Sequence, residues 1–271
     1  MVSVKVVALA GVVSFATAAG AADMPPPYHH IPMPPIEEYA AAWYLRGDIG
    51  MTNQRFKGLD YIRFPQTADL EWLDRGGFDS GWTFGIGVGY QFNHWLRADV
   101  TGEYRGKTAF HALDRVLSVP QTNEYTASKS EWLALANVYA DLGTWWNLTP
   151  FVGAGVGFSR NTIHHFRDIN VPQNGVAFAE TASKWNVAWA LHAGLAYKVN
   201  PNLTFEFAYR YVSLGDAKTG PLTNYLGVTI NEPMHFKNIT SHDLRLGLRW
   251  MLDAGPAYHQ PISLPPLMRR G

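Results

Sequence analysis

The segment LRADVTGEYR, residues 96–105, alternates between apolar and polar side chains at almost every position. Alternation with a period of two is typical of a β-strand whose two faces meet different environments. In a soluble β-sandwich the apolar face is buried and the charged face meets water. In a barrel that spans a membrane the apolar face meets lipid and the charged face lines the interior. The rest of the chain discriminates between these arrangements.

Eight alternating segments follow one another, and most have the length of a tilted strand that crosses a bilayer. They are 43–53, 83–92, 96–105, 131–142, 150–161, 183–199, 203–213 and 241–252. The spacers between them alternate in length. The short spacers are 93–95, 143–148 and 200–202, and the long polar ones are 54–82, 106–129, 162–182 and 214–240. This asymmetry predicts an all-β fold, an eight-stranded antiparallel up-and-down transmembrane β-barrel with long extracellular loops.

The apolar faces of the eight segments carry no charged residue. A basic residue facing hydrocarbon at the midplane costs about 2–4 kcal/mol, so this absence favours lipid as the outer medium. Aromatic residues concentrate at both ends of the apolar band, as at membrane interfaces; the alternative is a scatter of core aromatics. The predicted interface residues are Trp95, Trp145, Trp146, Tyr197 and Trp250 at the short-turn end, and Trp82, Trp132, Trp185, Tyr209 and Tyr211 at the long-loop end.

The opposite faces hold seven basic and six acidic residues. Such a set is prohibitive in a soluble core, but its members can pair across a barrel interior. Residues at similar depth predict two pairs, Arg46 with Asp99 and Glu206 with Arg249. The predicted interior charge network is Arg46, Asp48, Arg97, Asp99, Glu103, Arg105, Asp141, Glu206, Arg210, Arg245 and Arg249, with Asp243, Lys198 and His192 on the same face.

Two strands carry glycine at every second position of their inner face, in GIGVGY and GAGVGF. An eight-stranded barrel is barely wide enough for its own side chains, so glycine there leaves room for long neighbours. A phosphate-binding loop is excluded because no helix follows these glycines.

The ends of the chain predict export. Residues 1–22 have the layout of a cleaved signal peptide, residues 23–42 form a proline-rich periplasmic linker, and residues 253–271 form a proline-rich periplasmic tail. The chain has no cysteine, which excludes disulfides and thiolate metal sites. Basic and acidic residues are equal at 22 each, which argues against a nucleic-acid partner.

The segments WYLRGDIG, GVGYQFNHWLRADVTGEYRG, NVYADLGTWWNLTPFVGAGVG and HDLRLGLRW resemble the small outer-membrane β-barrel surface proteins of alphaproteobacteria, an opacity-protein-like family with an OmpA-type barrel. The resemblance covers about residues 43–252. It implies an outer-membrane location, contact with lipid and lipopolysaccharide, and assembly by the outer-membrane assembly machinery. It also implies roles in adhesion, envelope integrity or haem binding, and it carries no catalytic residues.

Local clusters of reactive side chains give little support for an enzyme. Ser241, His242 and Asp243 are consecutive, and neighbours on a strand point to opposite faces, so His242 cannot orient Ser241. The histidine pairs at 29–30 and 164–165 could bind metal or haem iron, but adjacent loop histidines are usually solvated, so no cofactor is predicted.

The long loops hold ten basic and eleven acidic residues and therefore form no basic patch. Loop 54–82 combines charges with aromatic residues, which suits either a recognition surface for an extracellular or host ligand or a plug packed over the barrel. These aromatic residues are Phe56, Tyr61, Phe64, Trp72 and Phe78. The sequence thus predicts a non-enzymatic structural and adhesive surface barrel, with a narrow porin or a haem-binding surface protein as the alternative.

Overall fold

The computed structural model describes residues 41–61, 70–118, 121–230 and 233–252. The predicted signal peptide, nearly all of the predicted linker, the C-terminal tail and the histidine pair at 29–30 lie outside these residues. Within them, no helix is long and apolar enough to cross a membrane. The described strands are β1 (Ala42–Arg55), β2 (Gly58–Tyr61), β3 (Leu70–Phe78), β4 (Gly81–Gln91), β5 (Leu96–Val116), β6 (Gln121–Asp141), β7 (Leu148–Asn170), β8 (Gly175–Ala179), β9 (Ala182–Lys198), β10 (Leu203–Lys218), β11 (Leu222–Asn224), β12 (Thr229–Ile230) and β13 (Met234–Met251).

Eight of these strands form a ring in which each pairs antiparallel with two others. Their order around the ring is their order in the chain, β1, β4, β5, β6, β7, β9, β10 and β13, and β13 pairs with β1. The eight-stranded up-and-down barrel predicted from the alternation is confirmed.

The ring has a fixed stagger. A path along paired residues that leaves β13 at Trp250 returns to that strand at Thr240, an offset of ten residues from position 250 to position 240. With about 3.3 Å per residue and about 4.8 Å between strands, this stagger tilts the strands by roughly 40°. A ring with eight strands at that tilt encloses a space that its own side chains fill.

Several strands continue well beyond the segments predicted to span the membrane. β5 and β6 have 21 residues each and β7 has 23, about twice the 9–11 residues that a bilayer needs. The shorter β2, β3, β8 and β11 pair with β13, β5, β7 and β8 and continue the same wall. The four intervals predicted as long loops are therefore largely strand, which corrects the sequence prediction.

β-Bulges explain why alternation concealed these extensions. A bulge inserts one residue and exchanges the inward and outward positions that follow it. The register shifts between Arg105 and Thr108, and again opposite His165, which has a φ of 50°. On β7 both Ile163 and Phe166 are consequently buried although they are three positions apart. The predicted strand 96–105 ends where the first of these bulges begins, whereas the predicted strand 150–161 ends before the second.

Beyond the bulges, apolar side chains fill the interior, and we call this cluster the apolar plug. Phe56 and Phe78 pack edge to face at 5.7 Å, and Phe110 and Phe236 at 4.9 Å. Of the two roles considered for the aromatics of 54–82, Phe56 and Phe78 thus take the packing role, and Trp72 packs against the same cluster. Phe64 and the side chain of Tyr61 lie outside the described part. The fully or nearly buried aromatic members of the plug are Phe78, Phe110, Tyr125, Phe166 and Phe236.

The glycines of β4 make room for the bulky inner face of β1. A Cβ atom at Gly89 would meet the ring of Tyr44, and one at Gly85 would meet the carboxylate of Asp48. Gly102 of β5 faces outward, and a Cβ atom there would have no neighbour within 4 Å. Small residues on β4 and large ones on β1 therefore fit together in a space that admits one set of bulky side chains.

We expect Gly89→Val to destabilise the barrel by about 1–3 kcal/mol because the added methyl groups overlap the Tyr44 ring. A closed barrel resists unfolding in detergent, so unboiled protein should migrate apart from boiled protein on a denaturing gel. The temperature at which the unboiled band disappears should fall for Gly89→Val and not for the matched Gly102→Val. Equal temperatures for the two variants, or a single band for the unmodified protein, would contradict the packing described here.

Candidate functional site: the ion-paired interior

The eleven charged residues assigned to the interior from sequence all lie on the inner face of the ring, each with at most 9% of its surface exposed. Asp243 is buried with them, and His192 lies at 5% exposure. Lys198 does not join them: it is exposed at the end of β9, next to the turn. Its cross-strand partner Thr204 is buried, so Lys198 keeps the predicted inward parity and is exposed because it lies at the end of the strand.

Near the short turns, Glu206 contacts three arginines. Its carboxylate lies 3.2 Å from Arg97 Nη1, 3.3 Å from Arg46 Nη2 and 3.4 Å from Arg249 Nε. Arg46 Nη1 also donates to Asp99 Oδ2 at 2.8 Å, across the glycine-lined strand β4. Both pairs expected from sequence depth, Arg46 with Asp99 and Glu206 with Arg249, are thus present as contacts.

Arg210 occupies the middle of the interior and bridges two carboxylates. Its guanidinium donates to both oxygens of Glu103 at 2.8 and 2.7 Å, and to Asp243 Oδ2 at 2.9 and 2.7 Å. Arg105 donates to both oxygens of Asp243, at 2.9 and 3.0 Å. Bidentate contacts of this kind are the strongest geometry for a guanidinium and a carboxylate. Arg245 joins this group to the lower one because it contacts both Asp48 and Glu103.

The network ends beneath the apolar plug. Arg105 Nε lies 2.7 Å from Glu131, which also contacts Lys129. Lys129 Nζ in turn donates to Gln54 at 2.7 Å and lies 5.1 Å from the centre of the Phe78 ring. Lys129 therefore marks the boundary between charged and apolar interior.

Seven cations and seven anions form one continuous, electrically balanced network within the described residues. Desolvated ions are tolerated only when they are paired, so this balance is what makes a charged interior stable. The cations are Arg46, Arg97, Arg105, Lys129, Arg210, Arg245 and Arg249, and the anions are Asp48, Asp99, Glu103, Glu131, Asp141, Glu206 and Asp243.

Aromatic rings support the ions that have few hydrogen bonds. The Arg97 guanidinium carbon lies 4.3 Å from the centre of the Tyr139 ring and 4.6 Å from that of Phe151. Tyr44 donates its hydroxyl to Asp99 at 3.2 Å. His192 contacts Asn137 at 3.2 Å and stacks edge to face on Tyr139, so it is part of this network.

Sequence reasoning missed Lys129, Glu131 and Tyr44. Glu131 has the parity of Asn137 and Asp141, which is a signal that could have been used. The polar character of that face is not evident near Glu131 because Leu133 and Leu135 share it and are buried inside the ring as well. Lys129 lies beyond the point where strand alternation was followed.

Of the predicted interface residues, the seven tryptophans, Tyr197 and Tyr209 are exposed, with exposed fractions from 43% for Tyr209 to 97% for Trp146. Tyr211 is partly exposed. At the extended end, Trp132 and Trp185 are both cross-strand partners of Arg160, so these three side chains lie in one row. Their role as membrane anchors stays a prediction.

The remaining reactive clusters separate in space. Ser241 and Asp243 are buried inside, whereas His242 faces outward and contacts the Tyr209 hydroxyl at 2.6 Å. His164 contacts Ser130 at 2.8 Å. Within the described ranges, no group of three or more histidine and carboxylate side chains is arranged to hold a metal ion.

One buried carboxyl lies above the network, in the part of the wall beyond the tryptophan row. Asp114 accepts hydrogen bonds from the Tyr125 hydroxyl at 2.6 Å and from Asn123 Nδ2 at 2.8 Å. Burial raises the pKa of this carboxyl above its ordinary value. Asp114 is therefore held in the upper interior by hydrogen bonds from Tyr125 and Asn123.

Comparison with known proteins agrees with this architecture. A family model described as "Outer membrane protein beta-barrel domain" matches residues 6–251. An uncharacterised protein of Brucella abortus (strain 2308) is 29% identical over 229 residues, covering 76% of this chain and 79% of that protein. Outer membrane protein PagN of Salmonella typhimurium is 24% identical over 139 residues, covering 48% of this chain and 56% of that protein.

Solved structures similar to this chain include the outer membrane protein OprG from Pseudomonas aeruginosa. It has a TM-score of 0.48 and 13% identity, covering 78% of this chain and 96% of that chain. Neisserial surface protein A has a TM-score of 0.41 and 18% identity, covering 78% of this chain and 98% of that chain.

We expect Arg210→Met to cost about 3–5 kcal/mol of stability because it leaves two buried carboxylates short of a partner. Arg249→Ala should also destabilise the barrel, but less, since Arg249 makes a single 3.4 Å contact with Glu206, which keeps two other arginines. Urea unfolding of the barrel in lipid vesicles, followed by tryptophan fluorescence, measures both. Equal losses for the two variants would show that connectivity within the network does not set its stability.

Proposed function

The chain belongs to the outer membrane protein β-barrel domain family, whose members imply residence in the Gram-negative outer membrane, and on that premise we propose that it is a non-enzymatic, non-conducting surface barrel. Its base seals and anchors the protein in the membrane. Its extended wall presents a recognition surface outside the cell. The observation that carries this proposal is the continuous, balanced network of fourteen ions that fills the base.

Two layers of side chains block the interior along the barrel axis. The ionic layer lies along the lipid-facing band, and the apolar plug lies mainly among the strand extensions, with Leu133 and Leu135 reaching into the band. A conducting pore needs a continuous path of water past both layers. Arg97, Arg105 and Arg210 are each at most 1% exposed, which supports a packed interior at the level where a pore would be narrowest.

The far end of the wall has the composition of a contact surface. Tyr225 and Leu226 are 79% and 88% exposed, and Val171 and Val228 are 68% and 55% exposed. Exposed apolar side chains at the tips of a rigid scaffold are typical of protein recognition. They support an adhesive role towards an extracellular or host ligand, which the loop composition predicted.

Export and insertion complete the proposal. Residues 1–22 supply the signal peptide. The lipid-facing Leu244, Leu246, Leu248 and Trp250 of β13 supply the alternating terminal strand that the outer-membrane assembly machinery reads. Lipid and lipopolysaccharide are the surrounding partners.

Planar-bilayer recording on refolded protein tests the closed interior. We expect little steady conductance from the unmodified chain because buried, paired side chains occupy the ionic layer. Protection of the barrel from protease in the same lipid serves as the control for insertion. A large, stable and ion-selective current would overturn the proposal and favour the narrow porin.

Single-cysteine labelling tests the orientation of the barrel in the membrane. The label reports only the introduced residue because the chain has no cysteine of its own. Gln173→Cys lies in the exposed connection between β7 and β8, and Thr144→Cys lies in the turn at the opposite end. We expect a membrane-impermeant thiol reagent to label Gln173→Cys on intact cells and Thr144→Cys only after the outer membrane is permeabilised. The reverse pattern would invert the topology.

A further inference from the structure

We infer that the outer wall carries a binding site for the phosphate groups of an anionic glycolipid of the outer leaflet. This inference rests on the proposed orientation, in which the strand-extended end lies outside the cell. We call the site the lipid-phosphate site. It comprises Lys107, Ser130, Arg160, Thr162, His164 and Ser183.

Arg160 is the centre of the site. It is exposed on the outer face of β7, between its cross-strand partners Trp132 and Trp185, which are 57% and 66% exposed. Its guanidinium carbon lies 5.9 Å from the centre of the Trp185 ring. Lipid-facing tryptophans mark the level of the headgroups, and an arginine among them places its charge where lipid phosphates lie.

Immediately above Arg160, the outer face changes from apolar side chains to hydroxyls. Ser130, Thr162 and Ser183 are cross-strand neighbours in one row, in which Thr162 and Ser183 are partly exposed and Ser130 is buried at 8% exposure. Thr162 and Ser183 share a hydrogen bond of 2.9 Å, and Ser130 lies 2.8 Å from His164 Nε2. Hydroxyl and imidazole groups can donate hydrogen bonds to phosphate oxygens. The guanidinium therefore faces a row of polar groups that suits the same ligand.

A second cation closes the row on the side of β5. Arg105 pairs with Glu131 and Thr108 with Lys129, so Lys107 falls in the bulge opposite Ser130. Lys107 is exposed, and it lies close enough to His164 that its charge, after the larger effect of burial, lowers the pKa of that imidazole. Two cations thus flank the hydroxyl row.

The charge of the patch complements an anion. Its three cross-strand rows contain no carboxylate: Tyr104, Trp132, Arg160 and Trp185; Ser130, Thr162 and Ser183; Ala109, Ser128 and His164. Exposed Asp79 and Glu180 lie in connections at the two flanks.

Two other cations of the extended wall have anionic partners. Lys184 contacts Asp216 at 2.8 Å, and Arg115 contacts Glu71 at 2.6 Å. Among the ion pairs formed by the described residues, none includes Arg160 or Lys107. These two cations are therefore available for an anion from outside the chain.

The apolar band directly below the site favours a lipid over free phosphate. Val156 and Phe158 of β7 face outward beneath Arg160 and are 58% and 59% exposed. A glycolipid whose acyl chains lie along that band holds its phosphates at the height of the cations. Tethering raises the local concentration of the phosphates without any further contact.

Native mass spectrometry of the full-length protein in detergent tests the site. The probes are a diphosphorylated lipid A and the same glycolipid after dephosphorylation. The unmodified protein should retain the phosphorylated form at least about tenfold better, as charge-assisted hydrogen bonds require. Arg160→Ala combined with Lys107→Ala should abolish that preference, and Arg160→Lys should keep part of it. Lys198→Ala, an exposed lysine at the short-turn end, is the matched control and should behave as the unmodified protein.

Three outcomes would overturn the inference. They are equal retention of the two glycolipids by the unmodified protein, an unchanged preference in the double variant, and displacement of the glycolipid by millimolar inorganic phosphate alone. Each variant must keep the separate migration of its unboiled form, so that loss of fold is recognised. A conducting unmodified barrel that still prefers the phosphorylated glycolipid would overturn the closed-interior proposal and leave this site standing.

Discussion

The narrowness of an eight-stranded ring is the constraint on which the rest of this structure depends. With a stagger of ten residues, the ring has no spare volume, so every inward side chain must fit against and pair with another. Seven cations and seven anions satisfy that demand as one network. The network also specifies register, because a slip of one residue would carry each of these ions to the lipid face.

The polarity of the inner and outer faces of the wall reverses at one height. Below the Trp132–Arg160–Trp185 row, the outer face is apolar and the inner face is mainly ionic, although Leu133 and Leu135 are also buried there. Above it, the outer face carries hydroxyl and charged groups, and the inner face is mainly the apolar plug, with Lys129 and Asp114 buried beside it. The physical cause is the change of outer medium from lipid to water. On β5 and β7, β-bulges contribute to this change, since each one exchanges the two faces of the strand without interrupting the wall.

This inversion links stability to function. The ionic base gives the extended wall a rigid foundation, and the wall packs around an apolar core. The residues that we propose for recognition are the apolar tips around Tyr225 and Leu226, and Arg160 and Lys107 at the boundary.

The sequence alone determined the strand number, the pairing order and the identity of the two faces, because period-two alternation in LRADVTGEYR and its seven counterparts reports directly on the media at each face. It also placed eleven charged residues inside. It did not show that β5, β6 and β7 continue into the predicted loops, and on β5 and β7 bulges after Arg105 and at His165 interrupt the alternation. Nor could it find Lys129 and Glu131, or choose between plug and surface for Phe56 and Phe78. The contacts of these residues depend on the stagger of the ring, because the stagger determines which side chains of neighbouring strands lie at the same height. Only the tertiary structure decides this stagger.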